Sequence, residues 1–260
     1  MKKIVYSDAT YITLPHKKSF LAGFFPTLVF YSRLFFIVLR ASNKVKKGKY
    51  TREEWVKSSY EVFNRLEDAG LTIHISGVEN IERVEGPVVF IGNHMSMMET
   101  LVLPVIIQPI KDVTYVVKES LLSYPIFKHV MRSRDPVAVT RTNPRQDFKN
   151  VMSGGVERLK KNISIIVFPQ TTRSSSFDPD QMSSIGVKLA KKAGVPIIPI
   201  ALKTDAWQNG VRFKDFGRFD QKKKVYFSFG EPMMVEGKGD REQTVINEFI
   251  EAKLNDWGAE

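Results

Sequence analysis

The sequence predicts an α/β fold, and three observations carry that prediction. From Leu71 onward, short apolar runs alternate with amphipathic stretches at helical spacing, the pattern of a sheet with helices packed on it. The 260 residues are 43% hydrophobic and 26% charged, enough for the core of one α/β domain or two small ones and too apolar for a disordered chain. Cysteine is absent, which excludes a disulfide scaffold, a thiolate metal site and a cysteine nucleophile. No stretch of about 20 clean apolar residues occurs, so a polytopic membrane protein is excluded as well.

The first element is the most apolar segment, residues 20–39, crowded with Phe20, Phe24, Phe25, Phe30, Tyr31, Phe35 and Phe36. Pro26 breaks it, and a helix over 27–39 would span only about 20 Å against about 30 Å of hydrocarbon. Arg33 would cost roughly 2.5–3.5 kcal/mol at a bilayer centre. A helix dipping into one leaflet fits better than one crossing both, with a buried core helix as the alternative. A second helix is announced by Thr51-Arg52-Glu53-Glu54 as a capping box and Gly70 as its stop. Trp55, Ser59, Tyr60, Phe63 and Leu66 trace one face of it, which packs on the domain or rests on lipid; the sequence does not separate the two. Residues 1–70 thus form a tail and a membrane-associated two-helix segment, and 71–260 the α/β domain.

Within that domain, strands are expected at 71–76, 88–91, 113–117, 137–141, 163–168, 196–202 and 225–229. Helices are expected near 97–107, 124–131, 146–161, 183–193 and 241–257. The loop 205–224, rich in turn formers and charge, reads as exposed and mobile.

Charge points to a partner. Lys plus Arg number 39 and Asp plus Glu 28, a net +11 that calls for something acidic. Lys17 and Lys18 precede the apolar segment, and Arg40, Lys44, Lys46, Lys47 and Lys49 follow it, as at an anionic membrane surface. No zinc-finger spacing, basic zipper or ribonucleoprotein aromatic motif supports nucleic acid.

Chemistry concentrates in two segments. His16, His74 and His129 read as surface or satisfied histidines, but His94 follows a buried strand and precedes a helix. That is the strand end where α/β folds bind ligands. Residues five apart in a regular helix point about 140° apart, so His94 and Glu99 meet only if His94 stands in the turn and Glu99 in the first helical turn. Glu99 would then accept the Nδ1 proton and leave Nε2 bare as a base. No Gly-x-Ser-x-Gly elbow accompanies the pair, so the base would activate an external hydroxyl in one step. In Phe168-Pro169-Gln170-Thr171-Thr172-Arg173-Ser174 another strand ends, and Arg173 with Thr172 or Ser174 is suited to a phosphate.

At these two segments the chain resembles the glycerolipid acyltransferases, which include the PlsC-like lysophosphatidic acid acyltransferases. Their first motif, Asn-His-x-x-x-x-Asp, is matched by Asn93, His94 and, with a change, Glu99. Their third, Phe-Pro-Glu-Gly-Thr-Arg-Ser, is matched by Phe168, Pro169, Thr172, Arg173 and Ser174. Lys118 and Arg141 match the basic positions between them, and residues 195–200 a last apolar, proline-bearing strand.

The resemblance implies a twisted mixed sheet flanked by helices, with an N-terminal membrane-associated helical hairpin. It implies acyl transfer from acyl-CoA or acyl-acyl carrier protein to a lysophospholipid, with His94 as base held by Glu99. Arg173, Arg141 and Lys118 would hold phosphates, with Asn93 and the third motif close by, and no metal or cofactor is expected. The location would be a membrane, monotopic or peripheral, with the site facing the cytoplasm. Glu99 for Asp keeps charge and role. Gln170 for Glu and Thr171 for Gly bear on the acceptor, which could be lysophosphatidic acid, a lyso-ornithine lipid or another lysolipid. From another class, a silent lipid-binding member would need no base backed by a carboxylate.

Overall fold

The computed structural model of the chain describes residues 4–14, 25–170, 172–211 and 214–259. Its centre is an eight-stranded sheet: β1 (Tyr11–Ile12), β2 (Ile73–Ser76), β3 (Val89–Gly92), β4 (Val113–Lys118), β5 (Val137–Val139), β6 (Ser164–Val167), β7 (Ile197–Lys203) and β8 (Val225–Phe229). The spatial order is β1-β2-β8-β7-β3-β6-β4-β5. From β7 through β5 the strands are parallel, while β8 runs antiparallel to β7 and β1 to β2. The seven expected strands are present within a residue or two; β1 was too short to show a pattern.

The helices are α1 (Pro26–Lys46), α2 (Arg52–Asp68), α3 (Glu79–Glu82), α4 (Met98–Ile107), α5 (Phe127–Arg132), α6 (Pro144–Lys160), α7 (Ile185–Ala193) and α8 (Asp240–Gly258). Strand residues alternate between two cores. Phe90, Ile166 and Ile198 face a cluster shared with α1, α2 and α4, whereas Val89, Ile91, Ile165 and Val167 face one shared with α6, α7 and α8. Burial on both faces explains why the parallel strands read as continuous apolar runs.

Two sequence expectations need correcting. The first helix runs on to Lys46 rather than stopping at 39, because Arg40 and Lys44 pair with Glu61 and Glu54 of α2 and so belong to the helix. With Arg33 bonded to Asp68 at 3.1 Å, the partners ascend along one helix as they descend along the other, so α1 and α2 run antiparallel. The stretch 124–131 is not one helix: Ile126 sits at φ 65° after Pro125, and α5 begins only at Phe127. Of the expected capping box of α2, the Thr51 half is present, while the Glu54 carboxylate pairs with Lys44. Thr51 accepts from the Glu54 N–H, and Gly70 at φ 91° lets Leu71 N–H close on Leu66 C=O at 3.2 Å.

Residues 15–24, with His16, Lys17, Lys18, Phe20 and Phe24, lie outside the described residues. Among the described residues, no helix is long and apolar enough to cross a membrane.

The loop between β7 and β8 is exposed over much of its length, as its composition suggests, but buried side chains seat it on α1. Trp207 is buried, edge-on to Phe30 of α1 at 5.1 Å and to Phe219 at 5.2 Å. Tyr31 donates its hydroxyl hydrogen to Gly217 C=O at 2.7 Å, and Phe219 N–H donates to Thr27 at 3.3 Å. Aromatic side chains hidden among turn formers and lysines fix this loop to α1.

Candidate active site

The parallel strands β3, β6, β4 and β5 deliver their C-terminal ends to one edge of the sheet. His94 follows β3, Phe168 and the residues after it follow β6, Lys118 closes β4 and Arg141 follows β5. The close approach of β3 to β7 depends on Gly92, where a Cβ would stand 2.8 Å from Ile200 C=O.

His94 stands in the turn and Glu99 is the second residue of α4, the arrangement their spacing requires. The imidazole Nδ1–H donates to Glu99 Oε2 at 2.5 Å. Glu99 is fully buried. Its Oε1 accepts from Met95 N–H at 3.0 Å, Ser96 N–H at 2.9 Å and the Thr204 hydroxyl. A carboxylate with four donors and no other role nearby is an acceptor, so Nδ1 carries a proton and, in the neutral ring, Nε2 carries the lone pair. Phe168 stacks on the imidazole at 4.4 Å with 4° between planes. No described residue hydrogen-bonds to Nε2.

His94 opens into a cleft of about 710 Å³. Part of its lining is apolar: Tyr31, Leu34, Phe35 and Val38 of α1, with Leu121 and the 124–127 turn. Part is cationic, with Lys118, Arg141, Arg173 and Lys214 beside Thr172 and Asp215. Arg173 Nη2 pairs with Asp215 Oδ1 at 2.5 Å, and Lys214 Nζ donates to Thr172 at 3.1 Å. Burial first, then the neighbouring Arg173, press the Arg141 guanidinium below its ordinary pKa, partly offset by Asp147. Arg141 holds a left-handed φ of 62°, fixed by Asp147 of α6, which accepts from its N–H and from Thr140 N–H, each at 2.7 Å.

The cleft therefore gathers His94, Lys118, Arg141, Thr172 and Arg173, with Glu99 directly behind the histidine. It does not gather Asn93, Gln170 or Ser174 on its wall. The Asn93 amide exchanges two hydrogen bonds with Leu202 of β7, at 2.7 and 2.9 Å, and Gln170 accepts from His94 N–H at 2.6 Å. Ser174 N–H donates to His94 C=O at 3.0 Å. These three position the histidine's backbone from behind. Thr171 lies outside the described residues.

Sequence reasoning did not find Thr204, Asp215 or Lys214, each brought in from far along the chain, nor the α1 residues of the apolar lining. The one signal was the charge and aromatic content of loop 205–224. Among the described residues no three His, Asp or Glu side chains gather as a metal set.

Residues 72–203 match the model of the Acyltransferase family. The chain is 30% identical over 192 residues to a 1-acyl-sn-glycerol-3-phosphate acyltransferase of Pseudomonas aeruginosa, covering 74% of this chain and 71% of that one. It is 28% identical over 130 residues to a chloroplastic protein of the same description from Arabidopsis thaliana, covering half of this chain and 35% of that one. The fold is similar to the crystal structure of the 1-acyl-sn-glycerophosphate acyltransferase PlsC of Thermotoga maritima. The TM-score is 0.67 at 20% identity, over 91% of this chain and 98% of that chain.

Proposed function

The chain belongs to the acyltransferase family, and on that premise we propose that it acylates the free hydroxyl of a lysophospholipid, with lysophosphatidic acid converted to phosphatidic acid as the first reading. The observation that carries the proposal is the His94–Glu99 pair opening into a cleft lined by both apolar and cationic side chains. The apolar lining suits an acyl chain, and Arg173, Arg141 and Lys118 suit phosphate oxygens.

In this mechanism His94 Nε2 takes the hydroxyl proton as the acceptor oxygen attacks the thioester carbonyl of acyl-CoA or acyl-acyl carrier protein. The carbon–sulfur bond breaks, and the thiolate leaves with the proton from Nε2. Glu99 keeps Nδ1 protonated and balances the imidazolium that forms between the two transfers.

The membrane reading belongs to the same proposal. Leu28, Phe35 and Phe36 of α1, with Phe25 just before it, are exposed apolar residues, and Phe35 also lines the cleft. Arg40 and Lys46 follow along the same helix, so residues 1–70 would seat the enzyme on an anionic surface as a monotopic or peripheral protein. The cleft, lined by α1 as well as by 71–260, would open to lipid from the cytoplasmic side, where both donors are. Asp215 beside Arg173 and Gln170 behind His94 favour a second reading within the class, in which the acceptor is another lysolipid, such as a lyso-ornithine lipid.

The test uses detergent-solubilised protein with labelled acyl-CoA and, in parallel, labelled acyl-acyl carrier protein. Each donor meets a panel of lysolipids, with His94→Ala alongside. Product from wild type alone is expected, and it names the acceptor. Equal product from both proteins, or none from either donor, overturns the reading in favour of a lipid-binding protein.

A further inference from the structure

We propose that Thr204 is a positioning residue for the reaction: its buried hydroxyl fixes the Glu99 carboxylate and, through it, the tautomer and orientation of His94. This rests on the reading of His94 as the base. Thr204 lies just past the end of β7 and is fully buried. It reaches Glu99 across 105 positions of sequence.

The direction of each bond in this chain of hydroxyls is determined. Glu99 Oε1 only accepts, so Thr204 must donate to it. The Thr204 oxygen is then free to accept, and the Ser96 hydroxyl donates to it at 2.9 Å. Ser96 in turn accepts from Met98 N–H, at the start of α4, at 3.1 Å. A backbone N–H of the helix that carries Glu99 is thereby connected to the carboxylate through two hydroxyls, and no member is left without a partner.

The two carboxylate oxygens have different tasks. Oε1 takes all three fixed donors, while Oε2 faces Nδ1 alone. Met95 N–H and Ser96 N–H come from the turn just before α4 and hold the carboxylate from one side of the chain. Thr204 is the only donor to Glu99 from the opposite strand among the described residues, and so it resists rotation that the local turn alone does not. Its position is set in turn by Asn93, whose amide binds Leu202 in both directions two residues before it. The residue next to the base therefore places the strand end that orients the base's partner.

The test compares Thr204→Val, which keeps the shape and removes the hydroxyl, with Thr204→Ser, which keeps it. Thr204→Val is expected to lower kcat roughly tenfold with KM for donor and acceptor unchanged, as loss of a hydrogen bond to a charged group implies. Thr204→Ser is expected to recover most of that loss. Nitrogen NMR of the His94 ring supplies a readout apart from turnover. The wild type is expected as a single Nδ1–H tautomer and Thr204→Val as a mixture. If Thr204→Val does not fold, Thr204→Cys takes its place; its weak donor predicts a kcat below that of Thr204→Ser. A single Nδ1–H tautomer in the variant, or a rise in KM with kcat intact, would overturn the proposal. A wild type that is inactive yet shows the tautomer change would leave Thr204 in place and remove only the reading of the function.

Discussion

The two ends of the cleft are built differently. At the histidine end, Glu99 is out of contact with water, accepts four donors, and draws them from the β3–α4 turn and the far end of β7. At the cationic end, Arg173, Thr172 and Lys214 stand on loops, and the nearest carboxylate to Arg173 is Asp215, on a segment held down by aromatic contacts to α1. The first end is rigid before any substrate arrives, which is what stabilising a developing charge requires. The second holds its cations in exchangeable pairs on connecting segments, where recognition changes with least disturbance to the fold. Under the proposed mechanism, proton transfer and headgroup choice would be separable.

The largest effect that would break this contrast concerns the base. His94→Ala is expected to lower kcat by about 10³-fold with little change in KM, measured in steady state with whichever acceptor the lysolipid panel identifies. Arg173→Ala should do the reverse, raising KM for a phosphate-bearing acceptor by about 10- to 100-fold with a smaller change in kcat. A kcat loss as deep as that of His94→Ala would merge the two ends into one unit.

A smaller effect sharpens the comparison. Asp215 occupies Arg173 where an acceptor phosphate would bind, so Asp215→Asn is expected to lower that KM by about threefold, the scale of a partly exposed pair. A higher KM would mean that Asp215 aims the guanidinium instead of competing for it.

The smallest effect lies at the junction of the loop with α1. Tyr31→Phe removes the bond to Gly217 and should cost about 1 kcal/mol of stability, read by denaturant unfolding. Burial, with Asp215 adding, pushes the Tyr31 phenol up to about 12. A raised phenol gives stability that is whole below pH 10 and is lost as pH rises through about 12, so the wild type should lose more than Tyr31→Phe over that window. Identical alkaline profiles would disconnect Tyr31 from the loop's anchorage.

How much of this was legible in the sequence follows from distance along the chain. The strands β3 and β6 were readable because burial on both faces leaves uninterrupted Val and Ile runs. The His94–Glu99 pair was readable because both members lie within one strand-to-helix turn. Thr204 gave no signal: one threonine at a strand end looks like any other, and only the parallel pairing of β3 with β7 brings it to Glu99. Asp215 was hidden in the same way, inside a loop whose charge suggested solvent and whose Trp207 and Phe219 give it a fixed seat. Asn93 was legible as part of a motif, yet its place, turned to the backbone of β7, required the sheet.

The stack of Phe168 on the imidazole has a stereochemical consequence. With one ring face covered and Nδ1 tied to Glu99, the ring is held in one orientation, and in the neutral ring the lone pair on Nε2 points along a single line in the ring plane. In the proposed reaction an acceptor would have to bring its free hydroxyl onto that line. A lysolipid whose hydroxyl cannot reach it while its headgroup stays on the cations would go unesterified, so the angle of approach would restrict the acceptor as much as any pocket shaped around the alcohol.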